Sequence, residues 1–257
     1  MPNYKVVDAD VLDADLSAIG EAIRSKTGGT ELLTLDEMPT AIEGIETGGG
    51  GDTSIEDGLI TGTLTEYTNN RVESVRDYAF YYSNVTSVYL PKVKTLGNYA
   101  FCSSYLTTAD FPLVETISSS CFGGASGGGS NNLTSVNFPN AIVVESSAFN
   151  FSRGLPFVDF PKVKEIKGTA FTNATGLKTV VLRSPILCSI NRSNCFNSAV
   201  EKYLFPSALL EEYKTATNWS SIYASGKSVF LPLEEHTVDG TTTGEIDWDK
   251  LNGEVTA

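Results

Sequence analysis

His236 is the only histidine in the chain, so imidazole catalysis near neutral pH has one possible seat. A Ser-His-Asp or Cys-His relay needs that ring held by a buried acid. His236 instead opens a stretch rich in Thr, Gly and Asp, which reads as surface. Asp8, Asp10, Asp13 and Asp15 hint at calcium, yet the central glycine and distal glutamate of a calcium loop are missing. Acids favoured at a helix start by the macrodipole account for them better. Gly123 to Ser130 lacks the Lys-Ser/Thr ending of a phosphate cradle and reads as a mobile surface loop. The four cysteines make no Cys-x-x-Cys pair, which argues for free thiols and against structural zinc. No carboxylate pair stands out for glycoside cleavage. The sequence therefore assigns no catalytic residue, no metal ligand and no cofactor, and predicts a protein that is not an enzyme.

The chemistry that remains is non-covalent recognition. Side chains alternate along a strand, so the outward positions of six similar apolar runs form two columns. One is Tyr89, Asp110, Asn137, Asp159, Val181 and Leu204; the other is Ser87, Thr108, Ser135, Phe157, Thr179 and Lys202. Rungs about 4.8 Å apart would give six of them a span of roughly 25 Å. Hydroxyls, amides, carboxylates and two aromatic rings suit a sugar or a protein epitope. The same columns also read as a solvated strand face without a ligand. Tyr81, Tyr82, Tyr105 and Phe151 form a second candidate surface, unless they pack against neighbouring turns.

The elements that must position these columns are repeats. A small residue plus phenylalanine occurs at Ala79-Phe80, Ala100-Phe101, Cys121-Phe122, Ala148-Phe149, Ala170-Phe171 and Cys195-Phe196. The Phe-to-Phe intervals are 21, 21, 27, 22 and 25 residues. Each pair is followed by a polar loop and an apolar-x-x-apolar-x-apolar run, as in Val85 to Leu90, closed by Pro91, Pro112, Pro139, Pro161 or Pro206. The fifth run, Leu177 to Leu182, reaches Pro185 two residues late. Such a period marks a solenoid of stacked strand-bearing turns, with Phe80, Val85, Val88 and Leu90 and their equivalents facing a shared core. The small slot held by Cys121 and Cys195 reads as buried.

The flanks differ from the array. Residues 1–47 show helical spacing at Leu12, Leu16, Ile19 and Ile23, then at Leu35, Met38, Ile42 and Ile45. Two helices so short cannot bury their apolar stripes on each other alone, which predicts attachment to a partner or homo-oligomerisation through these residues. Residues 48–53 read as a Gly-rich linker, and 54–206 as the repeat array with an N-terminal edge strand at Leu59 to Thr65. Residues 207–236 read as a C-terminal cap, with Ser207 as a helix N-cap and Trp219 as a lid. Residues 237–257 read as an acidic polar tail, extended or mobile.

The net charge of −13 sits at the ends: −9 over residues 1–56 and −4 over 237–257, with 14 acids and 14 bases between. That distribution offers nothing to attract nucleic acid or an anionic membrane. No stretch approaches the roughly 20 apolar residues that span a bilayer, and no secretory signal is visible at the start.

The Ala-Phe pair and the Leu-x-x-Val-x-Phe-Pro run resemble the BspA-type leucine-rich repeat of bacterial surface proteins and phage genomes, over residues 72–206. Phe205 to Trp219 is similar to that family's C-terminal cap. Leu16 to Gly28 with Leu35 to Ile42 is similar to a short module of tail and baseplate-associated proteins in phages of Gram-positive hosts. The resemblance implies a mixed α+β fold: a leucine-rich-repeat solenoid with short parallel strands, preceded by a small helical attachment unit. It implies a virion-exposed adhesin on a phage tail, binding a host-surface glycan or protein and other tail proteins. A bacterial cell-surface adhesin and a ligand-free decoration protein are the alternatives.

Overall fold

The computed structural model describes residues 54–55, 65–124 and 132–253. The helical unit expected at 1–47, with Leu12, Leu16, Ile19, Ile23, Leu35, Met38, Ile42 and Ile45, lies outside the described residues. So do the linker at 48–53, most of the glycine-rich insertion, and positions 59–64 of the expected edge strand.

In chain order the strands are β1 (Ser54–Ile55), β2 (Glu66–Thr68), β3 (Ser74–Val75), β4 (Ser87–Tyr89), β5 (Thr95–Leu96), β6 (Thr108–Asp110), β7 (Thr116–Ile117) and β8 (Ser135–Asn137). They continue as β9 (Val143–Val144), β10 (Phe157–Phe160), β11 (Glu165–Ile166), β12 (Thr179–Leu182), β13 (Ser189–Ile190), β14 (Lys202–Phe205) and β15 (Val229–Pro232). Even-numbered strands and β15 come from, or extend, the apolar runs; odd-numbered ones fall between the runs and the Phe turns. Pairing between strands is parallel throughout, because each copy brings the chain back to the same place in the same direction. β2 pairs with β4, β6 with β8, and β10, β12, β14 and β15 form one sheet in that order. β1 pairs with β3, and Glu66–Thr68 of β2 lies against Ser87–Tyr89 of β4.

Phenylalanine holds the copies together. The rings of Phe80, Phe101, Phe122, Phe149, Phe171 and Phe196 stack in sequence at centroid distances of 4.7, 5.4, 5.5, 5.0 and 5.4 Å, nearly parallel each time. Each Phe N–H from Phe80 to Phe171 donates to the carbonyl of the next copy's small residue, for example Phe80 to Ala100 at 2.7 Å. A ring can reach its neighbour at that spacing only beside a residue with little side chain. Ala79, Ala100, Cys121, Ala148, Ala170 and Cys195 are accordingly buried. Burying one such ring contributes about 1.5–3 kcal/mol, shared between adjacent turns. All four cysteines are free and buried, and burial pushes each thiol pKa up.

The even-numbered strands are interrupted twice, between β4 and β6 and between β8 and β10, and the second interruption has a visible cause. Thr86, Thr107, Thr134, Lys178 and Glu201 each donate a backbone N–H to the preceding copy, Thr134 to Thr107 at 2.9 Å. The fourth copy places Pro156 at this position, and proline has no N–H to give. The sheet breaks between β8 and β10 at this point.

The far end departs from expectation in three ways. Ser207 is not the N-cap of helix α1 (Leu210–Thr215); Leu209 occupies that place. The Ser207 N–H and hydroxyl both donate to Glu234 Oε2, at 2.8 and 2.6 Å. Trp219, at the head of α2 (Trp219–Ala224), does close the stack: it is fully buried, lies 5.7 Å from Phe196, and donates Nε1–H to Cys188 O at 2.7 Å. His236 is buried rather than on the surface, with Nδ1 2.8 Å from Pro232 O. Residues 237–253 are not an extended tail. Thr237 bridges Ile246 in antiparallel fashion, and the chain then forms α3 (Trp248–Gly253) with Leu251 buried.

Candidate functional site

The outward columns form as their alternation demands, and register fixes their members. Thr108 lies opposite Ser135 and Asp110 opposite Asn137; Phe157 lies opposite Thr179, which faces Lys202, and Asp159 lies opposite Val181, which faces Leu204. Ala109, Val158, Val180 and Tyr203 point the other way into the core, with Val88 and Val136 partly buried. Asp110 and Asp159 each stand between two buried residues, Ala109 and Phe111 and Val158 and Phe160, which hold them in place.

The six rungs are not equivalent. Ser87, Tyr89, Thr108, Asp110, Ser135 and Asn137 are exposed, Tyr89 at 61%. Asn137 donates Nδ2–H to Asp110 Oδ1 at 2.8 Å, linking adjacent rungs. Phe157 remains exposed and Asp159 half-buried, but Thr179, Val181, Lys202 and Leu204 are buried. The expected six-rung ligand face is thus three open rungs, a fourth that is half open, and two that are covered.

The cover is the segment taken for a tail. Val181 and Leu204 pack with Leu233 and Leu251 in a small apolar cluster of their own. Lys202 Nζ–H donates to Leu251 O, which satisfies an ammonium group that has left water. Arg183 supplies the main anchor. Its Nε–H and Nη2–H donate to Asp159 Oδ1 and Oδ2, both at 2.7 Å, while Nη1–H groups donate to Thr242 O at 2.7 Å and Gly244 O at 2.8 Å. The ring of Trp248 meets that of Phe157 at 4.7 Å with a 58° tilt.

The second surface divides similarly. Tyr81, Tyr82 and Tyr105 are exposed, joined by Tyr78 and Tyr99, whereas Phe151 is half-buried. Tyr78 and Tyr99 stack at 5.0 Å and Tyr81 stands perpendicular to both. Among the described residues, no group of three or more His, Cys, Asp or Glu side chains could hold a metal ion. No helix among them is long and apolar enough to cross a membrane.

Comparison with known proteins gives this arrangement its place. The BspA type leucine rich repeat region, in six copies, matches residues 61–146 and 128–222, well over half of the chain. The chain belongs to the BspA-type leucine-rich-repeat family. Among curated proteins, no relative matches it. One solved structure with a detectable likeness is a leucine-rich repeat protein from Bacteroides ovatus, at 17% identity and a TM-score of 0.39. The match covers 69% of this chain and 57% of that one.

Within this leucine-rich-repeat protein, the residues missed by sequence reasoning are Arg183, Trp248 and Leu251. Arg183 stands where other copies place Pro91, Pro112, Pro139, Pro161 and Pro206, and its N–H donates to Phe160 O at 3.1 Å, a bond no proline could make. The late Pro185 and the apolar pair Val181 and Leu204 in an otherwise polar column were the available signals.

Proposed function

We propose that this protein is a recognition subunit exposed on a phage virion, tail- or baseplate-associated, whose leucine-rich-repeat solenoid presents its open strand face to a host-surface receptor. The observation that carries the reading is the contrast along one face. Two of its six rungs are sealed by the protein's own chain, and three remain open: Ser87 and Tyr89 on one, then Thr108 and Asp110 in register with Ser135 and Asn137. Phe157, Asp159 and Thr179 border the seal. Holding polar and aromatic groups at fixed spacing on a rigid frame lowers the ordering cost of binding. No step of catalysis is assigned to the protein; its partners are a host glycan or protein and other virion proteins.

Support for the virion setting is the resemblance of Leu16 to Gly28 and Leu35 to Ile42 to tail-associated modules. In this reading the unit at 1–47 attaches the chain or joins copies of it, and the linker at 48–53 uncouples it from the repeats. The family also supports a bacterial cell-surface adhesin, for which the same face would serve.

The test has two arms. Immunogold labelling places the protein on virions or on bacterial walls. Adsorption of the labelled full chain to host cells is then compared with the variant Tyr89→Ala/Asp110→Ala/Asn137→Ala. A drop of about tenfold or more is expected if these side chains carry binding energy. Unchanged adsorption removes the strand face from recognition, and labelling on neither particle removes the setting.

A further inference from the structure

The C-terminal segment does more than cover two rungs: its edge builds a wall. Where it meets β10, the residues Phe157, Asp159, Arg183, Glu245, Ile246 and Trp248 line a cleft of about 500 Å³. Trp248 and Phe157 touch at an angle, so each keeps ring surface open to the cleft, at 37% and 38% exposure. Arg183 is held on two sides and has used four of its five N–H donors within the protein, leaving one on Nη2. Each Asp159 oxygen accepts one of these bonds and retains a lone pair for another donor. Beyond the cleft, β8 and β6 continue the surface with the bonded pair Asn137 and Asp110.

The chemistry of these groups selects a ligand. Two tilted aromatic rings beside a fixed carboxylate and a fixed guanidinium fit a body with an apolar face and a hydroxyl rim. Asp110, Asp159 and Glu245 outnumber Arg183, so a polyanion meets net repulsion. A peptide bound by strand pairing needs a sheet edge, and this surface is a sheet face that presents side chains. We propose that the cleft and the open rungs beside it bind a neutral, hydroxyl-rich glycan chain, one sugar ring stacking on Trp248 and Phe157 with hydroxyls bonded to Asp159, Arg183 and the Asp110–Asn137 rung. The inference rests on the recognition reading above and names its ligand class.

The protein carries its own reporter. It has two tryptophans, and Trp219 is fully buried, so a ligand-induced change in quenching reports Trp248. The full chain is screened on an array of neutral and anionic oligosaccharides. Gluco-, galacto- and N-acetylglucosamine oligomers are then titrated with acrylamide quenching as the readout. Neutral chains are expected to bind and to shield the exposed indole. Measured by titration calorimetry, which does not need the reporter indole, Trp248→Ala and Phe157→Ala are expected to weaken binding about tenfold, whereas Trp248→Phe, which keeps an aromatic seat, restores most of it. Resistance of the variants to thermolysin, which cuts at aliphatic residues such as Ile246 and Leu251, checks that the segment stays docked. Binding confined to anionic sugars, binding indifferent to both alanine variants, or no binding across the array overturns the proposal. Adsorption to cells that survives glycan removal but not protease treatment would overturn the glycan while leaving receptor recognition intact. Failure of adsorption together with a blank array removes both.

Discussion

Arg183 and Asp159 meet as a two-pronged pair on neighbouring rungs, with Nε–Oδ1 and Nη2–Oδ2 both at 2.7 Å. Arg183 is about one-tenth exposed and Asp159 just over a quarter. The pair joins a repeat strand to a segment more than fifty residues further along, because the guanidinium's other nitrogen holds Thr242 O and Gly244 O.

Removing that guanidinium should release the C-terminal segment without melting the repeats. Arg183→Ala leaves Asp159 and two carbonyls without their donor, a local cost of about 1–3 kcal/mol. Chymotrypsin is expected to cut after Trp248 about tenfold faster in the variant, while the main unfolding transition persists. Cleavage at the wild-type rate would mean the segment is held by its apolar cluster alone.

The Phe stack should behave as one unit. Phe149→Ala opens a cavity between two stacked rings and is expected to cost about 3–5 kcal/mol, read by denaturant unfolding. Phe157→Ala, on the exposed face, should cost less than about 1 kcal/mol. Equal effects would contradict the division between core and face.

Pro156→Thr restores an N–H where the sheet is broken. The amide at position 156, like those of Thr86, Thr107 and Thr134, should then exchange slowly with solvent, because Thr134 O lies in the equivalent acceptor place. Fast exchange at that amide in the variant would show that the break has another origin.

Stability should fall in alkali. Burial raises the pKa of the Cys121 and Cys188 thiols and of the Tyr203 and Tyr213 phenols. Folding keeps these groups protonated while the unfolded chain gives up thiol protons from about pH 8.5 and phenol protons from about pH 10. The native state then binds more protons, so stability is complete below about pH 8.5 and declines as pH climbs towards the folded values. Urea midpoints at pH 7 and pH 10 measure this. An unchanged midpoint would require the buried groups to ionise without unfolding.

Much of the architecture was legible because its signals repeat. Phe80 and its five equivalents, the small residue before each, and Trp219 as the closing ring all lie where periodicity puts them. The segment after residue 236 was illegible because it has few apolar residues, and its partners, Val181 and Leu204, sit on the side of the strand that alternation assigns to solvent. A polar composition then reads as a tail, although Arg183 and Lys202 bind its main-chain carbonyls rather than its side chains. His236 was misplaced with it. The outward columns form where alternation puts them, but two of the six rungs are covered, for the same reason: register follows from the runs, while coverage depends on a distant part of the chain.

The interval from Phe122 to Phe149 is 27 residues against 21 for the two before it, yet the two rings still stack at 5.5 Å and within 9° of parallel. Six additional residues, 27 − 21, leave no trace in the spine. Loop closure grows only slowly more costly with length, so the stack tolerates added chain at this junction. An affinity tag or a foreign epitope spliced between Phe122 and Phe149 should therefore leave the ring-on-ring contact of those two residues intact.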